Sequence, residues 1–357
     1  MIKVLNVISA LNNAGTEAVV MNYYRNMDRS KIQFDFLVLD TKEGYYEKEI
    51  QALGGKIFKI PPMSQNPLSC MKQRRKFFKE NHYDIVEVHS PSALRYAYCK
   101  LAKKSGVKAV IFHVHNFDES DNILIRYARN QIKKYCDQTV TCSQTAAESV
   151  LGQRADKLIP NAISYNLYQF DSLKRETLRN FYGICDDEKI IGHIGRFSEQ
   201  KNQLFLLQVF EEAVKKRTDL KLILKGFGAL KEQVLLEIEK RNLKDRVIIA
   251  SDKHSACDLY SVFDLFVLPS RWEGLGVVAI EAQANGLNVL ASSNVPQEAN
   301  ILGKVRFVDL NLNEWENNLC DSNFYKRNIV DLENFSKTGY EIKSAAKSRE
   351  TEYLNMV

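Results

Sequence analysis

Short β-branched runs alternate with stretches of helical period from the first residues onward. Residues 4–9 read as a strand, 16–27 as a helix, 34–39 as a strand, 45–53 as a helix and 57–60 as a strand. Strands separated by helices do not pair through hairpins, so this order predicts parallel sheets covered by helices, an α/β fold. The pattern continues through strands at 85–88, 109–113, 138–142 and 157–159, with a helix at 122–136 among the intervening segments. One doubly wound domain is then complete. Beyond Pro160, Asn161, Ala162 and Ile163 the apolar period fades, and a new strand begins at 189–194. Strands at 220–225, 247–250, 265–268, 288–291 and 305–308 then repeat the same grammar. The boundary is placed near residue 180, which gives an N-terminal domain of residues 1–180 and a C-terminal domain of residues 181–357. Residues 339–357 read as one or two terminal helices, with packing back onto the first domain left open.

The chain's 357 residues suit two cores and hence a cleft between domains, and 45% hydrophobic with 26% charged residues is a globular composition. The longest apolar runs are strand-sized, far short of the ~20 residues a membrane helix needs. Residues 1–8 enter a strand directly, with no apolar leader, which predicts a cytoplasmic location. Seven cysteines at scattered spacings, none as C-x-x-C, predict reduced thiols.

The net charge of +6 is unevenly divided: residues 1–180 carry 27 Lys+Arg against 18 Asp+Glu, and residues 181–357 carry 23 against 26. Lys72, Arg75, Lys76 and Lys79, beside Met71 and Phe78, fall on one helical stripe, and Arg126, Arg129, Lys133 and Lys134 form another. These predict peripheral docking on an anionic membrane surface at the inner face of the cell membrane; the plain alternative is a solvated face. Nucleic acid is disfavoured, since the basic residues lack interleaved aromatics and a known module.

Three segments carry candidate chemistry. Gly195, Arg196, Lys201 and Asn202 lie where a strand ends before an apolar helix, a place suited to a diphosphate through backbone N–H groups and two cations. A surface turn with solvated cations would look the same. Lys225-Gly226-Phe227-Gly228 opens a buried strand into a G-x-G turn, without the full dinucleotide fingerprint. Glu273-Gly274-Leu275-Gly276-Val277 leads to Glu281, two carboxylates across a glycine turn at a helix start. A loop carboxylate can accept from sugar hydroxyls, a helix carboxylate can hold a ribose diol, and the glycines expose N–H groups to phosphate. Otherwise Glu273 is a turn residue and Glu281 a packing residue.

The E-x7-E element at Glu273 and Glu281, the segment from Gly195 and Arg196 to Lys201 and Asn202, and Lys225-Gly226-Phe227-Gly228 together resemble retaining glycosyltransferase family 4. So do Asp264–Ser270, Pro160-Asn161-Ala162-Ile163 and Gly15-Thr16-Glu17, so the resemblance spans essentially the whole chain. It implies the GT-B architecture of two Rossmann-like domains, the first for acceptor and the second for nucleotide sugar. Arg196 and Lys201 would hold the donor diphosphate, Glu281 the ribose and Glu273 the transferred sugar, with amides of Gly274, Leu275, Gly276 and Val277 assisting. Gly15, Gly195 and Gly226 would line the donor, His115 would stand near its sugar, and Glu17 and Asn161 would serve the acceptor. The chain departs from the family at Ala14, where a second glycine is common, and at Leu275, where phenylalanine is. The run at 339–343 is similar to the subgroup that builds capsular and exported polysaccharides.

Phe112-His113-Val114-His115-Asn116 is read as a strand end whose two histidines face opposite sides, with His115 the candidate, His113 a core residue and a shared metal site disfavoured. No Asp-x-Asp is present to hold a divalent ion on a diphosphate, so no metal and no cofactor beyond the nucleotide-sugar donor are expected. The expected reaction is retaining transfer of a hexose from a nucleotide diphosphate sugar, a UDP-sugar by preference, to a hydroxyl of a lipid-linked saccharide. A nucleotide-sugar epimerase or hydrolase of the same fold, and a silent partner subunit of a transferase pair, are the alternatives.

Overall fold

The structure, a computed structural model, describes residues 1–12, 15–118 and 120–357; Ala14 lies outside the described residues. The chain forms two compact units, residues 1–163 with 339–357, and residues 164–338.

In the first unit the order is β1 (Ile2–Ile8), α1 (Gly15–Asn26), β2 (Ile32–Val38), α2 (Glu47–Ala52), β3 (Ile57–Lys59), α3 (Pro67–Glu80) and β4 (Ile85–Ser90). It continues with α4 (Tyr96–Lys104), β5 (Ala109–Val114), α5 (Ile123–Tyr135), β6 (Gln138–Thr141), α6 (Gln144–Leu151) and β7 (Lys157–Leu158). The strands pair in parallel in the order β3-β2-β1-β4-β5-β6-β7. Every residue of β4 and β5 is buried, as expected for strands covered on both faces. One core, around Tyr24, Phe34 and Phe36, lies on the sheet face that α1 covers, and a second, around Phe77, Phe78 and Tyr98, lies on the other.

The second unit runs α7 (Tyr165–Tyr168), α8 (Ser172–Phe181), β8 (Lys189–Ile194), α9 (Gln203–Lys216), β9 (Leu220–Lys225), α10 (Lys231–Lys240) and β10 (Val247–Ile249). Then come α11 (Ala256–Leu259), β11 (Leu265–Leu268), α12 (Val277–Ala284), β12 (Val289–Ser292), β13 (Val305–Val308), α13 (Leu312–Cys320) and α14 (Leu332–Lys337). Its parallel sheet has the order β10-β9-β8-β11-β12-β13. The last helix, α15 (Ile342–Asn355), belongs to the first unit.

The boundary near residue 180 is therefore corrected to residue 163. Residues 164–180 contain no strand, and their membership is decided by side-chain contacts that periodicity does not register. Arg175 of α8 donates to the Val262 carbonyl at 2.9 Å and pairs with Asp264 at 2.7 Å. Tyr165 donates to the Val330 carbonyl at 2.5 Å. Likewise α15 is joined to the first unit by the Ile163 N–H to Tyr340 carbonyl bond at 2.9 Å and the Ile342 N–H to Ile163 carbonyl bond at 3.0 Å.

In each unit the strand order reverses once, between β1 and β4 and between β8 and β11. Ligands of doubly wound sheets bind outside the strand C-termini at such switch points. Gly15 and Glu17 in the first unit, and the loops after β8 and β11 in the second, lie at these two places.

Candidate functional site

In the second unit, β8 delivers Gly195 and Arg196, and β11 delivers the loop from Ser270 to Glu273, to the same end of the sheet. The two loops are bolted together: the Arg271 N–H donates to the Gln200 carbonyl at 2.8 Å and the Gln200 amide to the Trp272 carbonyl at 3.0 Å. Across this junction Lys201 Nζ lies 2.5 Å from Glu273 Oε1, which also accepts from Ser270 Oγ at 2.5 Å. Ser270 is held in turn by Ser292 Oγ, which donates to its carbonyl. A buried carboxylate with two donors is fixed in place, and an ammonium with three N–H groups keeps donors for other oxygens.

Gly226 is required by close approach: a Cβ there would sit 1.9 Å from the Gly195 carbonyl oxygen. The Gly195 N–H donates to the Lys225 carbonyl at 2.9 Å, and Phe197 to Phe227 at 2.8 Å, so the G-x-G turn is stitched to the basic loop. Gly226 thus shapes the loop that carries Arg196. Arg196 itself is exposed, its guanidinium 5.9 Å from the Phe227 ring centre.

Beneath the loop His193 is buried, its Nδ1 3.0 Å from the Val267 carbonyl and its Nε2 3.2 Å from the Gln203 amide. Nδ1 must donate and Nε2 accept, which defines a neutral tautomer. Burial pushes its pKa down to about 4.

Gly276 adopts φ 85° and ends the turn at α12, whose N-terminus carries no side-chain cap; α9 also starts without one, from Asn202 at φ 56°. Backbone N–H groups of the first helical turn have no intrahelical partner, and phosphate suits them. Leu275 has its side chain buried, leaving only its backbone for a ligand, and Val277 opens the helix. Glu281, one turn further, accepts from the Tyr260 hydroxyl at 2.6 Å. Burial raises its pKa, against the hydroxyls of Tyr260 and Tyr168 and the charge of Lys201. Neither tyrosine carries a sequence signal: Tyr260 sits among apolar residues that read as core, and Tyr168 in a stretch without apolar period.

In the first unit Gly15 and Glu17 follow β1 at the other switch point, His115 follows β5, and Asn161 follows the edge strand β7. Gly15 opens α1 with free space where a Cβ would stand, and Glu17 is buried, its pKa raised by burial. Asn161 is buried with Oδ1 lacking a partner. Sequence reasoning missed Arg95, which donates to the His89 carbonyl at 2.9 Å and to Ser9 Oγ at 2.7 Å, bridging the ends of β4 and β1.

His113 and His115 do not face opposite sides. Their rings stack with centres 3.9 Å apart. Residues two apart on a strand share a face, which corrects the expectation that they diverge. His89 joins them from β4, its Nδ1 2.9 Å from His115 Nε2 and its Nε2 2.9 Å from Asn6 Oδ1. His113 Nδ1 lies 2.6 Å from Glu87 Oε1. Burial pushes the pKa of all three down, that of His89 to about 3.

The stripes read as basic are also sorted by the structure. Lys72, Arg75, Lys76 and Lys79 are exposed on α3, but Phe78 is core. On α5, Arg129 is bound to the Ser149 and Val150 carbonyls and to Asp121, so it is a structural cation. Ile123, Leu124 and Tyr127 at the start of α5 are exposed beside Arg126. No helix among the described residues is long and apolar enough to cross a membrane.

Two units of parallel sheet, the second with a carboxylate–lysine pair and uncapped helix starts at its switch point, have the architecture of a two-domain protein that binds an anionic ligand at a sheet edge. Comparison with known proteins agrees. Residues 14–166 match the family described as Glycosyltransferase Family 4, and residues 174–305 match Glycosyl transferases group 1. The protein EpsF of Bacillus subtilis (strain 168), named a glycosyltransferase, is 33% identical over 309 residues, 83% of this chain and 80% of its own. The chain therefore belongs to the family 4 glycosyltransferases of GT-B fold. The capsular polysaccharide biosynthesis glycosyltransferase CapH of Staphylococcus aureus is 25% identical, over 84% of each chain. The UDP-Gal:alpha-D-GlcNAc-diphosphoundecaprenol alpha-1,3-galactosyltransferase of Escherichia coli is 23% identical over 73% of this chain and 72% of its own. Among solved structures, Anabaena Alr3699/HepE in complex with UDP matches with TM-score 0.73 at 17% identity, covering 99% of this chain and 97% of that one, a likeness of fold.

Proposed function

We propose that this glycosyltransferase moves a hexose from a UDP-sugar to a hydroxyl of a lipid-linked saccharide precursor, with retention of anomeric configuration, in surface polysaccharide biosynthesis. The observation that carries the reading is the pair of half-buried Lys201 with buried Glu273 at 2.5 Å, on loops that lead into two uncapped helix N-termini. It supplies cation, carboxylate and amide donors, which a diphosphate and a sugar both need. The names of the Escherichia coli and Staphylococcus aureus relatives and the UDP complex of the Anabaena protein favour this donor and acceptor class.

In this reading Arg196, Lys201 and the amides of Gly274 to Val277 offset charge growing on the departing diphosphate, Glu281 holds the ribose and Glu273 the sugar. His115 assists the transfer, and Gly15, Glu17 and Asn161 serve phosphate and acceptor. The bond from the acceptor oxygen to the anomeric carbon forms on the face that UDP leaves, and the leaving phosphate oxygen takes the acceptor proton. No metal enters the step. The exposed Ile123, Leu124 and Tyr127, with Arg126 and the lysines of α3, would rest on an anionic leaflet where such an acceptor resides.

The test is one assay: UDP-hexoses with a lipid-diphosphate-linked saccharide in vesicles, with and without anionic lipid, in EDTA, the product linkage read by NMR. The expected result is an α-linked product from an α-linked donor, formed in EDTA and faster on anionic vesicles. An inverted product contradicts the mechanism, equal rates on neutral vesicles contradict the docking, and UDP release unaffected by acceptor favours the hydrolase.

A further inference from the structure

The three histidines of the first unit are built as a set. His89, His113 and His115 are each at most 5% exposed, and one nitrogen from each lies within 4.8 Å of the others. Two are oriented by their outer nitrogens. Glu87 Oε1, 2.6 Å away, takes the Nδ1 proton of His113 and leaves Nε2, a buried atom without any protein partner, as a bare lone pair. Asn6 Oδ1, 2.9 Å away, takes the Nε2 proton of His89 and leaves Nδ1 to accept from His115 Nε2 at 2.9 Å, a proton that a bound cation would displace to the unpartnered Nδ1 of His115. A carboxylate or carbonyl behind each imidazole is how proteins orient metal-binding histidines.

We propose that His89, His113 and His115 form a binding site for a divalent cation of zinc type, with His113 Nε2, His89 Nδ1 and His115 Nε2 as ligands. Three imidazoles leave a fourth, open position on a tetrahedral ion. At zinc–nitrogen distances of about 2.0–2.1 Å, tetrahedral ligand nitrogens stand roughly 3.4 Å apart, so closure needs side-chain shifts of about 1.4 Å or less. A cavity of about 20 Å³, lined in part by Glu87, His89 and His113 and by the apolar side chains of Val19, Val20 and Phe34, adjoins two of the three imidazoles and gives them room to shift.

The test is calorimetric titration of EDTA-stripped, desalted full-length protein with ZnCl2, and the visible spectrum of the protein loaded with Co(II). One equivalent is expected to bind with a micromolar or tighter Kd, and cobalt to give the intense bands of a tetrahedral site. H113Q and H89Q should each weaken binding at least 100-fold, and H82A, at an exposed histidine, should not. X-ray absorption of the zinc-loaded wild type, expected to show nitrogen and oxygen neighbours only, keeps the test valid if those variants misfold. No binding by folded wild type, or equal binding by H113Q and H89Q, overturns the site. Zinc should also inhibit transfer at the same titre, because it would claim His115. That arm alone rests on the role proposed for His115, so binding without inhibition would overturn that role and leave the site standing.

Discussion

Glu273→Gln is expected to lower kcat by about 10²–10³-fold, the usual effect of removing one pre-positioned electrostatic contact to a transition state. UDP affinity should stay within a few-fold of wild type. The reason is local: Glu273 Oε1 is the acceptor shared by Lys201 Nζ and Ser270 Oγ, both at 2.5 Å. Glutamine keeps the shape and loses the charge, so Lys201 is no longer drawn to the sugar side of the loop. Steady-state kinetics beside UDP calorimetry separate the two effects. A variant with unchanged kcat and a raised KM would make Glu273 a uniform binding contact, and the proposed role would be wrong.

Arg349→Met is expected to destabilise the first unit by about 3–5 kcal/mol, the cost of removing one partner from a buried ion pair. Arg349 Nη2 lies 2.8 Å from Glu87 Oε2, which also accepts from Tyr353 at 2.5 Å. Burial alone would raise the Glu87 pKa, yet Arg349 and the adjacent histidines hold it well below the usual carboxylate range. Without the guanidinium that carboxylate is left buried and under-compensated. Amide hydrogen exchange in β4 and β5 should quicken by two to three orders of magnitude, with much of the loss recovered in the double variant E87Q/R349M. Exchange in those strands at the wild-type rate would show that α15 adds nothing to the stability of the sheet.

The sheets and the candidate segments were legible in the chain because each is local. Parallel β-strands read as apolar runs between helices, and Gly195 to Asn202 and Glu273 to Glu281 are continuous segments that the switch point between β8 and β11 brings to one end of a sheet. What sequence could not supply was long-range pairing. Arg349 and Glu87 are separated by 262 positions, and nothing in residues 339–357 announces the partner. Arg175 and Asp264 are 89 apart, so a boundary at 180 set by fading periodicity falls two helices too late. The histidine error was of another kind. The strand was found, its period misapplied, and His89 on the neighbouring strand went unconsidered, so a cluster of three was read as a lone candidate. Tyr260 stayed hidden because only the fold turns its hydroxyl toward Glu281.

The central claim is that the switch point of the second unit is a nucleotide-diphosphate site. Calorimetric titration of UDP into wild type, Glu281→Ala and Arg196→Ala tests it most directly. The account predicts one equivalent of UDP bound by wild type in EDTA, with affinity at least tenfold weaker in each variant. UDP bound equally by all three, or not at all by folded wild type, would contradict it.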